Sequence, residues 1–324
     1  MKKRGLLYLA AVLFAVYVFI FPQEANAHSK KSPTQKSAVQ KTVSPQKPAI
    51  KKKSTPRKHA KPLSSEAELK KLLIQKLSRT FPQDELQNFF SDERLQLDRN
   101  IFLPYYPKCT LADDTERDHR GYFDPDCGIL TRTSLDRGKK YIETHREEFD
   151  AAYEKYGVEV EVVAAILRIE TNFGGYTGTR SVFNTLYTRY ILEARRRKEA
   201  LIQIEYFLRI TRIGEEDPFA LKGSSWGAFG LPQFMPYSYW HFAVDGNTDG
   251  VIDLFDPADA IASAANYLRE HGWSDKEKDR KNAVWAYNHD YIYVKAVLAY
   301  FNALKKSRQD TEEISSPETQ QNSP

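Results

Sequence analysis

The sequence predicts a mainly α-helical protein, and three observations carry that prediction. Apolar residues recur at three- and four-residue spacing from Leu63 to Leu304. Strand-type alternation is scarce, and no internal repeat is found. With 324 residues and 41% apolar content, the chain exceeds a minimal domain and can bury a large core. The same composition excludes collagen, a coiled coil and a multi-span membrane protein.

The elements follow in chain order. Lys2-Lys3-Arg4 precede an unbroken run of sixteen apolar residues, Leu6 to Phe21. Pro22 ends the run, and Ala25-Asn26-Ala27 offers small residues for cleavage. That is the layout of a secretory signal peptide, residues 1–27, cut before His28. An uncleaved anchor helix is the alternative, but a spanning helix wants about 20 residues. The protein is therefore expected to be exported, periplasmic or secreted. Residues 28–62 hold eleven Lys or Arg and no acid, with Pro, Ser, Thr and Gln between them. Such a segment cannot bury enough surface to fold and reads as a disordered basic linker. It suits weak attraction to anionic envelope polymers, or a solubilising spacer.

Glu66 to Leu77 carries a helical stripe at 69, 72, 73 and 77. Thr133 or Ser134 can cap a helix running to about Tyr156, which Gly157 ends. Further helices are predicted over Glu159–Glu170, Ala194–Arg212, Pro257–His271 and Val284–Leu304. Two lobes are expected: a helical front part, 63–150, and a core, 151–306, with the last helix packing back on the first lobe. Residues 307–324 are polar and acidic and read as a disordered tail. From residue 63 onward the chain has 34 bases against 42 acids, so the +5 net charge resides in the N-terminal segments. A nucleic-acid-binding core is excluded on that balance.

Cys109 and Cys127 are the two cysteines. In an exported chain they are expected to bridge, with two free thiols as the alternative. A bridge closing the polar loop between them would contribute about 3 kcal/mol in the chain-entropy model.

Two segments carry candidate chemistry. Glu170 ends an apolar helix and is followed by Thr171-Asn172-Phe173-Gly174-Gly175. An apolar surround raises a carboxyl pKa, and a protonated carboxyl is what a general acid needs. An exposed helix-end Glu is the alternative. Downstream, Gly223 to Pro236 is rich in glycine and aromatics. Glycines there let a polymer approach the backbone. Gln233 could bond a sugar amide, and Trp226 or Phe229 could stack on a sugar face. Separately, Asp245-Gly246-Asn247-Thr248-Asp249-Gly250-Val251 leading to Asp256 fits a 12-residue EF-hand loop. Asp245, Asn247, Asp249 and Asp256 would ligate calcium by side chain and Val251 by its carbonyl. An Asx-rich turn is the alternative.

Together these segments resemble the B-type lytic murein transglycosylases, glycoside hydrolase family 103. The matching motifs are Tyr156-Gly157-Val158, Glu170-Thr171-Asn172-Phe173-Gly174, Leu221-Lys222-Gly223-Ser224, Gly227-Ala228-Phe229-Gly230 and Gln233-Phe234-Met235-Pro236. Ala265-Asn266-Tyr267-Leu268, Gly272-Trp273, Ala286-Tyr287-Asn288 and Tyr293-Val294 follow in family order. The resemblance implies a lysozyme-like core with an additional helical lobe. It also implies cleavage of the β-1,4 bond between N-acetylmuramic acid and N-acetylglucosamine. Glu170 would be the acid/base, and Phe173, Ser224, Gln233, Tyr267, Tyr287, Asn288 and Tyr293 would bind the glycan. No cofactor would serve the chemistry, calcium would be structural, and a monomer acting on peptidoglycan strands is expected. The chain departs from the family pattern at Phe173, where Trp is usual, at Tyr190 to Arg196, and in the Cys109–Cys127 loop. A hydrolytic lysozyme acting on modified, for example deacetylated, peptidoglycan is the nearest alternative. A non-catalytic wall-binding protein is a third reading, and Glu170 argues against it.

Overall fold

The computed structural model describes residues 65–104, 108–110, 116–118, 121–214 and 216–315, with the side chains of 117, 118 and 310–315 left aside. The predicted signal peptide, the basic linker up to residue 62 and the last nine residues of the predicted tail lie outside these. No helix among the described residues is long and apolar enough to cross a membrane.

Eleven α-helices are described. They are α1 (Glu66–Leu77), α2 (Gln83–Ser91), α3 (Arg132–Thr144), α4 (Arg146–Tyr156), α5 (Val160–Thr171), α6 (Val182–Leu192), α7 (Arg197–Ile213), α8 (Pro236–Phe242), α9 (Pro257–Glu270), α10 (Glu277–Tyr287) and α11 (Tyr291–Ser315). Two small antiparallel sheets accompany them. One pairs β1 (Lys108–Thr110) with β2 (Glu116–Asp118), and the other pairs β3 (Arg180–Ser181) with β4 (Lys222–Gly223).

Local chemistry sets the boundaries. Ser65 and Glu68 form a reciprocal capping box at the start of α1. The cap of α3 is Thr131, whose hydroxyl accepts from the Ser134 amide, rather than Thr133 or Ser134. The single helix expected up to Tyr156 breaks at His145, whose φ of −116° is not helical, giving α3 and α4. The expected helix 284–304 is also two. Asn288 is extended, and the Asp290 carboxylate accepts from the Ile292 and Tyr293 amides to start α11. That last helix runs past Ser307 to Ser315, so the tail expected from 307 is helical at its start. Arg308 on it donates to the Glu161 carboxylate of α5 at 2.5 Å.

The buried side chains form two clusters. In one, α3, α4, α5, α9 and α11 pack around Phe149, Ile166, Leu167, Leu268, Val297 and Phe301. In the other, α1, α2, α6 and α7 pack around Leu73, Phe90, Phe183, Tyr187 and Phe207. Elements from before residue 150 belong to both clusters, so the core is not divided at that point of the chain. The last helix does reach back, packing on α3 as well as α5.

Candidate active site

Helix α5 is apolar almost all round, with Val162 to Leu167 fully buried. Such a helix forms the centre of a core rather than its surface. Its end is locked to the glycine-rich segment, because the Thr171 hydroxyl donates to the Leu231 carbonyl at 2.9 Å. Asn172 and Phe173 then take positive φ, 54° and 59°, and turn the chain out of the helix. Glu170, one residue before this lock, is half-buried at the wall of a cleft of about 1170 Å³.

Glu170 Oε1 accepts a hydrogen bond from the Tyr293 hydroxyl at 2.6 Å. Burial pushes its carboxyl up to about 7, against the opposing effect of that bond. No neighbouring carboxylate or guanidinium contributes to the shift. Tyr287 stacks on Tyr293 with ring centroids 6.4 Å apart, and its hydroxyl donates to the Pro232 carbonyl at 2.6 Å. Tyr122 meets Tyr293 edge-on at 6.4 Å. Burial and the Glu170 charge raise all three phenols, Tyr122 to about 12, so they stay neutral around the carboxyl.

The glycine-rich wall is a tight hairpin, in which Phe229 and Phe234 exchange backbone hydrogen bonds. Gly230 has a φ of 75°, and a Cβ there would overlap Leu254. The Ser224 hydroxyl accepts from the Trp226 and Ala228 amides. Gln233 donates its amide to the Thr177 and Gly230 carbonyls. Ser224 and Gln233 both line the cleft with Glu170.

Other expected site residues stand elsewhere. Tyr267 is buried, its hydroxyl is committed to the Ala286 carbonyl, and its ring supports Tyr287 edge-on at 4.7 Å. Asn288 is exposed at the turn between α10 and α11. Phe173 stacks on Tyr141 at 4.5 Å and lines an adjoining recess. Phe229 is buried in the second cluster, so it cannot stack on a sugar. Trp226 is exposed, with the Arg189 guanidinium 3.6 Å from its ring centroid.

Cys109 and Cys127 form a disulfide, Cα to Cα 5.9 Å, and both line the cleft. The bridge ties β1 to a turn that is ordered in its own right. Asp124 Oδ1 accepts from the Asp126 and Cys127 amides, and the Ile129 amide donates to the Tyr122 carbonyl. This turn delivers Tyr122, which sequence reasoning missed. Its only mark in the chain was an aromatic pair, Tyr122-Phe123, inside a polar disulfide loop.

The loop 245–256 folds on its own carboxylates. Asp245 accepts from the Thr248 and Gly250 amides, Asn247 from Asp249, and Asp249 from Val251. Asp256 caps α9, where its Oδ1 accepts from the Ala258 amide. The acid that enters the loop is Asp259, one helical turn later. It is buried, and its two oxygens accept from the Gly246 and Asp253 amides at 2.7 and 2.6 Å. Burial raises the Asp259 pKa, those two bonds oppose the shift, and the charges of Asp256 and Asp245 add to it.

Comparison with known proteins identifies the family and the fold. Over 145 residues the chain is 38% identical to the membrane-bound lytic murein transglycosylase B of Escherichia coli strain K12, covering 45% of this chain. The match spans 40% of that relative's length. The fold is similar to that of the lytic transglycosylase Slt35 of Escherichia coli, solved with calcium (TM-score 0.60, 23% identity, 74% of this chain and 93% of that one). It is equally similar to SltB3 of Pseudomonas aeruginosa, solved with NAG-anhNAM-pentapeptide (TM-score 0.62, 20% identity, 74% of this chain and 80% of that one). Residues 64–291 match the family described as the transglycosylase SLT domain, and the chain belongs to that family.

Proposed function

We propose that the protein is a peptidoglycan lytic transglycosylase with Glu170 as its one acid/base. A carboxyl with a pKa near 7, bonded to Tyr293 and free of pressure from any second carboxylate, carries this reading. At neutral pH much of it is protonated and can donate to the glycosidic oxygen as the bond to muramic acid C1 breaks. Hydrolysis by the usual glycosidase route needs a second carboxylate to activate water or attack C1. No second carboxylate is among the groups that shift Glu170, and in this reading the substrate itself supplies the nucleophile. The N-acetyl group supports the positive charge at C1, and the C6 hydroxyl attacks C1. Its proton returns to the Glu170 carboxylate, restoring the acid. The product is a 1,6-anhydromuramoyl end, and no water is consumed.

Gln233 and Ser224 hold the wall on which the glycan lies, and Tyr122, Tyr287 and Tyr293 keep water from the carboxyl. Asp245, Asn247, Asp249 and the Val251 carbonyl hold a structural calcium ion, with Asp259 in the place the 12-residue spacing gave to Asp256. The fit rests on Asp259, a buried carboxylate raised partly by other acids, which a cation would relieve. The disulfide suits an oxidising compartment outside the cytoplasm, where peptidoglycan lies. Mass spectrometry of digested sacculi tests the reading. Wild type should release anhydromuramoyl ends, and Glu170→Gln should lose activity by about 10²–10⁴-fold or more. Reducing muramic ends would make the enzyme a hydrolase, and an active Glu170→Gln would remove Glu170 from its role.

A further inference from the structure

A run of exposed rings takes no part in the chemistry of the cleft. Trp226, on the glycine-rich hairpin, has the Arg189 guanidinium 3.6 Å and the Arg196 guanidinium 4.8 Å from its ring centroid. Neither Trp226 nor Gln203 of α7 lines the main cleft; with Met235 they line a separate small groove. Gln203 joins that groove to α8, because its Oε1 accepts from the Tyr237 amide at 2.9 Å. Tyr237 and Trp240 stand three residues apart on α8 and so share a face. Both rings are exposed, by 41% and 38%. Tyr206 of α7 meets Tyr237 edge-on at 5.1 Å and Trp240 at 6.0 Å. His241 completes the group, with its Nε2 3.1 Å from the Tyr206 hydroxyl.

The rings are braced. Arg209, three residues after Tyr206, places its guanidinium 5.7 Å from both the Tyr206 and the Trp240 centroids. Between Ala200, in the groove with Trp226, and Arg209, beside Trp240, α7 rises about 14 Å. The face is therefore longer than a single sugar ring. Contiguous exposed rings of this kind mark an interaction site.

The charges on the face select its ligand. Each of the three guanidiniums among the rings has its own acid: Arg189 pairs with Glu193, Arg196 with Glu199 at 3.4 Å, and Arg209 with Glu205 at 2.8 Å. Paired in this way they offer an anionic polymer no unbalanced charge. The core of a protein interface is depleted in glutamate, whereas three glutamates run beside these rings. A sugar has an apolar C–H face and a rim of hydroxyls. The face matches it with flat rings for the one and with Gln203, His241 and the ion pairs for the other. The hairpin that carries Trp226 also presents Ser224 and Gln233 to the cleft. A strand bound on this face therefore lies beside the one being cut.

We propose that the face running from Trp226 to Tyr237 and Trp240 binds the uncharged sugar backbone of a peptidoglycan strand outside the cleft, and holds the enzyme on the wall between cuts. The proposal rests on the reading of the cleft as a peptidoglycan site.

Binding and turnover test it separately. Binding is measured by sedimentation with purified sacculi, with Glu170→Gln present throughout so that the wall stays intact. Adding Trp240→Ala should weaken binding about 3–10-fold, for the loss of one stacked ring. Adding Tyr237→Ala as well should weaken it further, and Trp240→Tyr, which keeps a ring, should recover part of the loss. The weakening should be the same at low and high salt, and on sacculi stripped of their stems by an amidase, because the ligand is uncharged. In the active enzyme, Trp240→Ala should raise KM on sacculi by a similar factor, since a second contact on a polymer acts through effective concentration. Its kcat/KM on a soluble tetrasaccharide, which fills only the cleft, should stay at the wild-type value and so show that the variant is folded. Equal sedimentation with and without Trp240 would overturn the proposal and leave the face to a protein partner. A loss that vanished at high salt or on stripped sacculi would overturn it by making the ligand a charged stem. An equal fall on the tetrasaccharide would overturn it by placing the rings inside the cleft. A wild type that released no anhydromuramoyl ends would sink the function of the cleft, whereas Trp240-dependent sedimentation, read without turnover, stands or falls by itself.

Discussion

Glu170 and Asp259 are both carboxyls held above their ordinary range by burial, yet they are built for opposite tasks. Glu170 keeps one hydrogen bond, from a phenol, and its neighbours are neutral rings. Asp259 spends both oxygens on backbone amides and faces the charges of Asp256 and Asp245. Burial alone does not decide what a carboxyl does; the groups that compensate it do. A phenol and an apolar wall leave a proton that can be given away and taken back. Fixed amide donors stabilise the anion where it stands, and neighbouring anions oppose it with a charge that a cation there would relieve.

The largest difference should appear on deletion. Asp259→Ala orphans the Gly246 and Asp253 amides and leaves the loop without its central brace. A hydrogen bond to a charged group contributes about 1.5–3 kcal/mol, so loss of the two is expected to cost about 3–6 kcal/mol in denaturant unfolding. Calcium should raise the melting temperature of wild type by mass action, and chelator should reverse the gain. The variant should melt alike in both. A wild type indifferent to millimolar calcium would reduce Asp259 to a structural brace and end its role as a ligand.

Glu170 should behave in the reverse sense, since its substitution stabilises. Its folded pKa lies above the unfolded value, so protonation favours the native state. That contribution is complete below about pH 4 and is lost as pH rises through about 7. Glu170→Gln mimics the protonated form and never ionises. Its stability should match wild type at pH 4 and exceed it at pH 9, by on the order of 1–3 kcal/mol. A difference that did not change with pH would mean that the carboxyl is not buried enough to titrate near neutrality.

The two sites also differ in how far the chain reveals them. Glu170 is legible because α5 carries an unbroken apolar run that stops at an acid and then at Phe173-Gly174-Gly175. Asp259 is not, because a 12-residue frame selects Asp256, which is the helix cap before Pro257; the carboxylate that enters the loop lies one turn inside α9. The fold shows the same limit. Helices α1, α5 and α9 have clear stripes or caps. Helix α6 is buried on all sides, Thr185, Thr188 and Arg189 included, so it has no polar face to set its period. Helix α8 has only seven residues, too few for a pattern. Tyr122 is an ordinary residue in the chain. Only tertiary packing brings it to the carboxyl.

The smallest expected effect isolates the one bond that separates Glu170 from a wholly apolar burial. The Tyr293 hydroxyl donates to the carboxylate and so lowers a pKa that burial has raised. Tyr293→Phe keeps the ring, its stacking on Tyr287 and its edge contact with Tyr122, and removes only the donor. The ionised form of Glu170 then loses its one listener, and its pKa should climb further. Because the first proton transfer needs the acid form, the alkaline limb of kcat/KM should move to higher pH, by about half a unit to one unit for a bond worth about 1 kcal/mol. The second transfer needs the carboxylate as a base, so the plateau should also change, since a stronger base takes the C6 hydroxyl proton more readily. The pH profile of muropeptide release by wild type and Tyr293→Phe measures both. A limb that moved downward would mean that Tyr293 had been supporting the protonated acid, which is the hydrogen-bond sense opposite to the one its geometry and its raised pKa support.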